Sequence, residues 1–196
     1  MIRALIFDCF GVFFTDPVFS YMHNPQTPPE KAIALHSLDE EAARGRLTKE
    51  DFIQEAAHLL GLSLSATEKR FFQGYDKNLE LIALSQKLRK QYQIGLLSNI
   101  GGDMMDGFFS KQERNTLFDI VILSGDVKLA KPDPAIYKLI CDQLGVKFIE
   151  AIMIDDIQSN CEAAEKLVMQ PICYTNFEKF KAELDSLLQK ANGTSI

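Results

Sequence analysis

Apolar residues fall along the chain in two alternating rhythms. Five short runs, Ala4 to Phe7, Ile94 to Leu97, Ile120 to Leu123, Ala151 to Ile154 and Pro171 to Tyr174, are continuous rather than alternating. Short unbroken runs of this kind read as strands buried on both faces of a sheet. Between the later runs lie stretches of helical period, Ala135 to Leu144 with Ile136, Leu139, Ile140 and Leu144, and Asn160 to Leu167. Strand and helix in alternation predict an α/β fold, a doubly wound, mostly parallel sheet with crossover helices.

The interval 16–85 breaks the alternation. It holds helical patterns over Pro29 to Arg44, Lys49 to Leu60 and Ala66 to Gly74, and no convincing strand. Thr48 followed by Glu50 and Asp51 marks a helix start, and Gly61 and Gly74 mark stops. Asn24 to Pro29, with three prolines, is a loop. The expected organisation is an α/β core from 1–15 and 86–196, with an all-helical cap, 16–85, inserted after the first strand. No internal repeat or low-complexity tract is present.

The 196 residues are 46% hydrophobic, enough for a substantial core. A net charge of -6 without a long basic run argues against a nucleic-acid partner. Cys9, Cys141, Cys161 and Cys173 are widely spaced and lack the pairing of zinc or dithiol motifs, so buried reduced thiols in a cytoplasmic protein are expected. The first apolar run stops at Asp8, too short for a signal peptide or a membrane span.

Chemistry gathers behind the strands. Asp8 follows the first, Ser98 and Asn99 the second, Lys131 comes after the third, and Asp155 with Asp156 after the fourth. Each has an ordinary explanation alone, as a turn former, helix cap or surface residue. In an open parallel sheet, however, the carboxyl ends of the strands line one edge, where ligands bind. Three carboxylates brought together there repel one another unless a cation sits among them. An all-oxygen set with room for water and substrate suits magnesium. Lys131 adds a fixed positive charge and Ser98 a donor, giving a receptor for a phosphoryl group.

The motifs Leu5-Ile6-Phe7-Asp8-Cys9-Phe10-Gly11-Val12, Leu96-Leu97-Ser98-Asn99, Lys131-Pro132-Asp133-Pro134 and Ile154-Asp155-Asp156-Ile157-Gln158-Ser159-Asn160 resemble, in order, the four motifs of the haloacid dehalogenase superfamily. Gly45-Arg46-Leu47-Thr48-Lys49-Glu50-Asp51-Phe52 resembles a recurrent piece of its helical cap. The resemblance implies a Rossmann-like core and a phosphatase. Asp8 would become an aspartyl-phosphate, and its carboxylate and the Phe10 backbone carbonyl would hold magnesium with Asp155 and Asp156. Asn160 would support the metal site, Ser98 with Asn99 would bind phosphate, and Lys131 would steady nucleophile and phosphate.

One position departs from the pattern. Phosphatases of the superfamily usually carry a second Asp two residues after the nucleophile to protonate the leaving oxygen, and here that residue is Phe10. General acid-base catalysis is worth about 10²- to 10⁴-fold, so its loss slows turnover or restricts the substrate. The leading expectation is magnesium-dependent hydrolysis of a phosphorylated small molecule such as a sugar phosphate. Its rivals are a phosphate-binding regulatory protein with weakened catalysis and a 2-haloacid dehalogenase, a class with an aromatic residue at this place. Arg44, Arg46 and His23 are candidate substrate contacts from the cap, and the sequence leaves the oligomeric state open.

Overall fold

The computed structural model describes residues 1–73 and 75–191; the helix stop expected at Gly74 lies outside them. Five parallel strands, β1 (Ala4–Phe7), β2 (Gln93–Ser98), β3 (Ile120–Leu123), β4 (Ala151–Asp155) and β5 (Gln170–Cys173), form one sheet in the order β3-β2-β1-β4-β5. β1 is central, with Ile6 paired to Gly95 on one side and to Met153 on the other. The chain therefore winds first toward one edge and then toward the other, the doubly wound topology expected from the alternation.

Both faces of the sheet are covered, which is why its strands are apolar throughout. Leu5 and Phe7 join Ile94, Leu96, Ile152 and Ile154 in one core. Ala4 and Ile6 point the other way, into a second core with Leu97, Ile122 and Met153. Helix α9 (Pro134–Leu144) covers the second core through Ile136, Ile140 and Leu144, and α10 (Gln158–Lys166) adds Ala164. Helix α9 starts where Asp133 accepts a hydrogen bond from the Ala135 N–H at 2.8 Å, with Pro134 in the first turn. The first core is closed by α5 (Leu79–Leu88) through Leu81 and by α11 (Phe177–Ala191) through Phe180 and Leu184. Short helices α6 (Gly102–Met105), α7 (Lys111–Leu117) and α8 (Ser124–Val127) complete the connections around β3.

Four helices fill the chain between β1 and α5: α1 (Pro17–Met22), α2 (Pro29–Ala43), α3 (Lys49–Leu60) and α4 (Leu64–Phe72). Helix α3 has the expected start, a reciprocal capping box in which Thr48 Oγ1 accepts from the Asp51 N–H at 3.1 Å and Asp51 accepts from the Thr48 N–H at 3.0 Å. Phe52 of α3 meets the rings of Phe71 and Phe72 of α4 edge-on at 5.9 and 5.8 Å. Leu35, Phe52 and Phe71 belong to the same apolar cluster as Leu5 and Phe7, so these helices share the core above the sheet. The expected boundary at residue 85 falls inside α5. Cys9, Cys141 and Cys161 are buried free thiols, and Cys173 is half-buried. Among the described residues no helix is long and apolar enough to cross a membrane.

Candidate active site

The parallel register brings the ends of β1, β2 and β4 to one edge, and the predicted residues meet there. Asp8 follows β1, Ser98 ends β2 and Asp155 ends β4. Lys131, in the loop before α9, inserts between two of the acids. Its ammonium lies 2.9 Å from Asp8 Oδ1 and 2.6 Å from Asp155 Oδ2, with its side chain 1% exposed. Asn99 holds that loop: its Nδ2 donates to the Lys131 carbonyl and its Oδ1 accepts from the Lys131 N–H, each at 2.9 Å. Asn99 is thereby engaged in placing the lysine.

The three carboxylates are bound very differently. Asp155 is fully buried and saturated, its Oδ1 accepting from the Ile157 N–H at 2.9 Å and from Asn160 Nδ2 at 3.0 Å while Oδ2 takes Lys131. Asn160 is fixed in turn by Tyr137, whose hydroxyl donates to the Asn160 carbonyl at 3.0 Å. On Asp8 both contacts fall on Oδ1, from Lys131 and from the Cys9 N–H at 2.6 Å. Its Oδ2 has no hydrogen bond among the described residues, so one oxygen is oriented and the other is open to attack an electrophile. Asp156 is half-buried and lies over Gly11. Ligand oxygens of Asp8, Asp155 and Asp156 all fall within 4.8 Å of one another, a spacing that fits a metal ion.

Charge makes the same point. Three carboxylates face one ammonium. Burial, reinforced by Asp155 and Asp156 and opposed by Lys131, pushes the Asp8 carboxyl up to about 7. Burial and then the neighbouring Asp155 push Asp156 up to about 6. Burial alone would lower Lys131, but Asp155 and Asp8 outweigh it and hold the ammonium firmly protonated. A hard divalent cation would remove the remaining repulsion, and the donors are of the oxygen type it prefers. Ser98 Oγ is buried without a hydrogen-bond partner among the described residues, an unmet donor of the kind a ligand oxygen satisfies.

Phe10 fills the place where a second acid was sought, its ring edge-on to Phe108 at 4.6 Å. It lines a cavity under the inserted helices together with Asn99, Asp16 and Asp39. Asp16 and Asp39 were missed by sequence reasoning. A signal existed for Asp39, because it stands four residues after Leu35 and three before Ala42, on the apolar face of α2. The candidate cap contacts lie outside that cavity. Arg44 and Arg46 border a second recess that Lys131 and Lys128 also line, and the Arg46 guanidinium is paired to Glu41. His23 is exposed and stacks on Phe19 at 3.8 Å.

Fold and site together define an α/β protein with a doubly wound parallel sheet and an acid-lined edge. The chain belongs to the haloacid dehalogenase-like hydrolases, whose family model matches residues 14–173. Among curated proteins it is 26% identical to drimenol cyclase drtB of Aspergillus calidoustus over 95% of this chain and 37% of that protein. It is 27% identical to D-ribitol-5-phosphate phosphatase of Bacteroides thetaiotaomicron over 76% of this chain and 77% of that one. The chain thus spans little more than a third of the first of these relatives. A haloacid dehalogenase family enzyme from Bacteroides thetaiotaomicron has the same fold, with a TM-score of 0.77 at 22% identity over 93% of this chain and 98% of that one. The complex of that enzyme with magnesium and inorganic phosphate superposes with a TM-score of 0.72 at 22% identity, over 89% and 95% of the two chains.

Proposed function

We propose that this chain is a magnesium-dependent hydrolase of phosphorylated small molecules, acting through an aspartyl-phosphate on Asp8. The observation that carries the reading is the Asp8 carboxylate itself: one oxygen held by Lys131 and the Cys9 N–H, the other free, beside two further acids and the unpartnered Ser98 hydroxyl. The magnesium and phosphate complex of the structurally similar Bacteroides enzyme supports it.

Asp8, Asp156 and the Phe10 carbonyl would hold the metal, with Asp155 behind them anchoring Lys131. Bound there, magnesium supplies charge neutralisation for the phosphoryl oxygens and for the crowded acids. Ser98 donates to one phosphoryl oxygen and Lys131 opposes the charge of the others. Asp8 Oδ2 attacks phosphorus, the ester P–O bond breaks with its electrons on the leaving oxygen, and water later cleaves the acyl phosphate to restore Asp8. Phe10 offers the leaving oxygen no proton, so that oxygen would take one from water or from Asp39, one of the two carboxyls lining the cavity. The inserted helices act as a cap over this space, with the cap's far edge lying ahead of Leu79, where α5 begins. Dehalogenation is less well supported, because 2-haloacid dehalogenases work without a metal, whereas the three acids gathered here call for a cation among them.

The test is phosphate release from a panel of phosphate esters with and without magnesium. Magnesium-stimulated release that disappears in Asp8→Asn, in a variant that remains folded, is the expected result. Metal-independent halide release, or tight phosphate binding with no turnover on any ester, would replace this reading with one of its rivals. Magnesium should also stabilise the native chain by about 2.7 kcal/mol at a hundred times its Kd, an effect absent in the Asp155→Asn, Asp156→Asn double variant.

A further inference from the structure

The cavity beside the candidate active site has a composition that says what it accepts. Phe10, two residues after Asp8, and Asn99, next to Ser98, both line it, so it lies beside the place where the ester bond would be. Its walls are mainly apolar, and five phenyl rings, those of Phe10, Phe52, Phe71, Phe72 and Phe108, are among them. The free space is about 50 Å³, room for roughly four water-sized groups at 10–15 Å³ each.

Its polar groups are as telling. Apart from Asn99 they are two carboxylates, Asp16 and Asp39, and among the described residues no Lys, Arg or His lines it. Asp16 is already committed as the N-cap of α1, accepting from the Phe19 N–H at 2.8 Å. Asp39 has no hydrogen bond or ion pair among the described residues, although it is half-buried among apolar side chains. Burial, with Asp16 and Glu40 adding to it, pushes its carboxyl up to about 7. An anionic group placed in this cavity would meet acids without a counter-charge, and a polyol would leave most of its hydroxyls facing phenyl rings. A short alkyl group meets neither obstacle, and an amine finds a partner in Asp39.

We propose that this cavity receives the leaving group of the substrate and selects monophosphates of small apolar alcohols without a second anionic group, Asp39 being the residue that rejects negative charge. The proposal rests on the phosphohydrolase reading above and narrows it.

Four esters of similar size test it: n-propyl phosphate, 3-aminopropyl phosphate, 2-carboxyethyl phosphate and glycerol 1-phosphate, each assayed with magnesium for kcat/KM at pH 8, where Asp39 is ionised. Acetyl phosphate, whose leaving group needs no proton, reports the phosphoryl chemistry itself. For any ester that is not turned over, its inhibition constant against acetyl phosphate is ranked instead. The propyl and aminopropyl esters should exceed both others by at least tenfold. In Asp39→Asn the ratio of carboxyethyl to propyl ester should rise at least fivefold, a ratio that does not depend on the folded fraction. If acetyl phosphate is hydrolysed but glycerol or carboxyethyl phosphate equals the propyl ester, the proposal fails and the phosphohydrolase reading stands. An unchanged ratio in Asp39→Asn overturns the role of that residue. If acetyl phosphate is not hydrolysed either, both readings fall together.

Discussion

The Asp156 carboxylate lies directly over the α-carbon of Gly11: a Cβ built there would stand 1.9 Å from Asp156 Oδ2. Gly11 also has a φ of +75°, a left-handed conformation that costs an L residue about 1–2 kcal/mol. Gly11→Ala is therefore expected to lose at least that much stability and to displace Asp156. Thermal melts would show the first effect, and calorimetric titration with magnesium the second, as binding weakened at least tenfold. A variant that binds magnesium like the parent would separate Asp156 from the metal.

Lys131 is the counter-charge for two buried acids. Lys131→Met keeps much of the side-chain volume and removes the ammonium, leaving Asp8 and Asp155 unpaired. Removing one partner of a buried ion pair typically costs about 3–5 kcal/mol, to be read from denaturant unfolding. Millimolar magnesium should recover part of that loss if the cation shares the same acids. A loss below about 1 kcal/mol, on the scale of exposed ion pairs, would mean that the pair is effectively solvated.

Phe10→Asp restores an acid two residues after Asp8. A well-placed general acid is worth roughly 3–5 kcal/mol of barrier, and this graft should recover part of it while losing the ring contact with Phe108. The value of kcat/KM should rise more for an alkyl phosphate than for an aryl phosphate, whose leaving group needs the proton less. If the variant folds and binds magnesium yet neither rate rises, the proton comes from elsewhere.

Asp39 carries a pH signature. An unfolded aspartate titrates near 3.9, while burial first, with Asp16 and Glu40 in support, pushes the folded group up to about 7. Between those values the native chain holds the proton more tightly than the unfolded one. The contribution of Asp39 to stability thus falls as pH rises from about 4 to about 7 and is level above that. Asp39→Asn removes this loss, so the variant should gain stability relative to the parent across that window. A gain of about 1–2 kcal/mol at pH 8 is expected once solvent screening is allowed for, and urea melts at pH 4.5 and 8 would measure it. An equal difference at both pH values would exclude an elevated Asp39.

The sheet was legible because a strand buried on both faces must be apolar throughout, and all five runs became strands with ends shifted by at most a residue. Asp8, Ser98, Lys131 and Asp155 were legible because parallel strands deliver their carboxyl ends to one edge. Asn99 shows where such reading stops. Its role is to hold the backbone of Lys131, 32 residues away, and no local pattern encodes that pairing. Asp39 was hidden in the run Asp39-Glu40-Glu41, which reads as a solvated helix face until the apolar spacing of Leu35 and Ala42 is taken into account. Arg46 was read from its charge, and its pairing with Glu41, five residues earlier, emerges only from the structure.

Every residue given a chemical role at the sheet edge, from Asp8 through Ser98 and Lys131 to Asp156, comes from chain outside Pro17–Phe72, whereas Asp39, Phe52, Phe71 and Phe72 of the cavity come from within it. On the proposed reading, the groups that act on the bond come from one stretch of sequence, while the walls that admit the molecule come largely from another, joined by Phe10, Asp16, Asn99 and Phe108. Exchange of the inserted helices for another set would leave the central strand and its acids in register. Such a division lets selection rewrite the diet of the protein while its chemistry stays under the stricter constraint of the sheet.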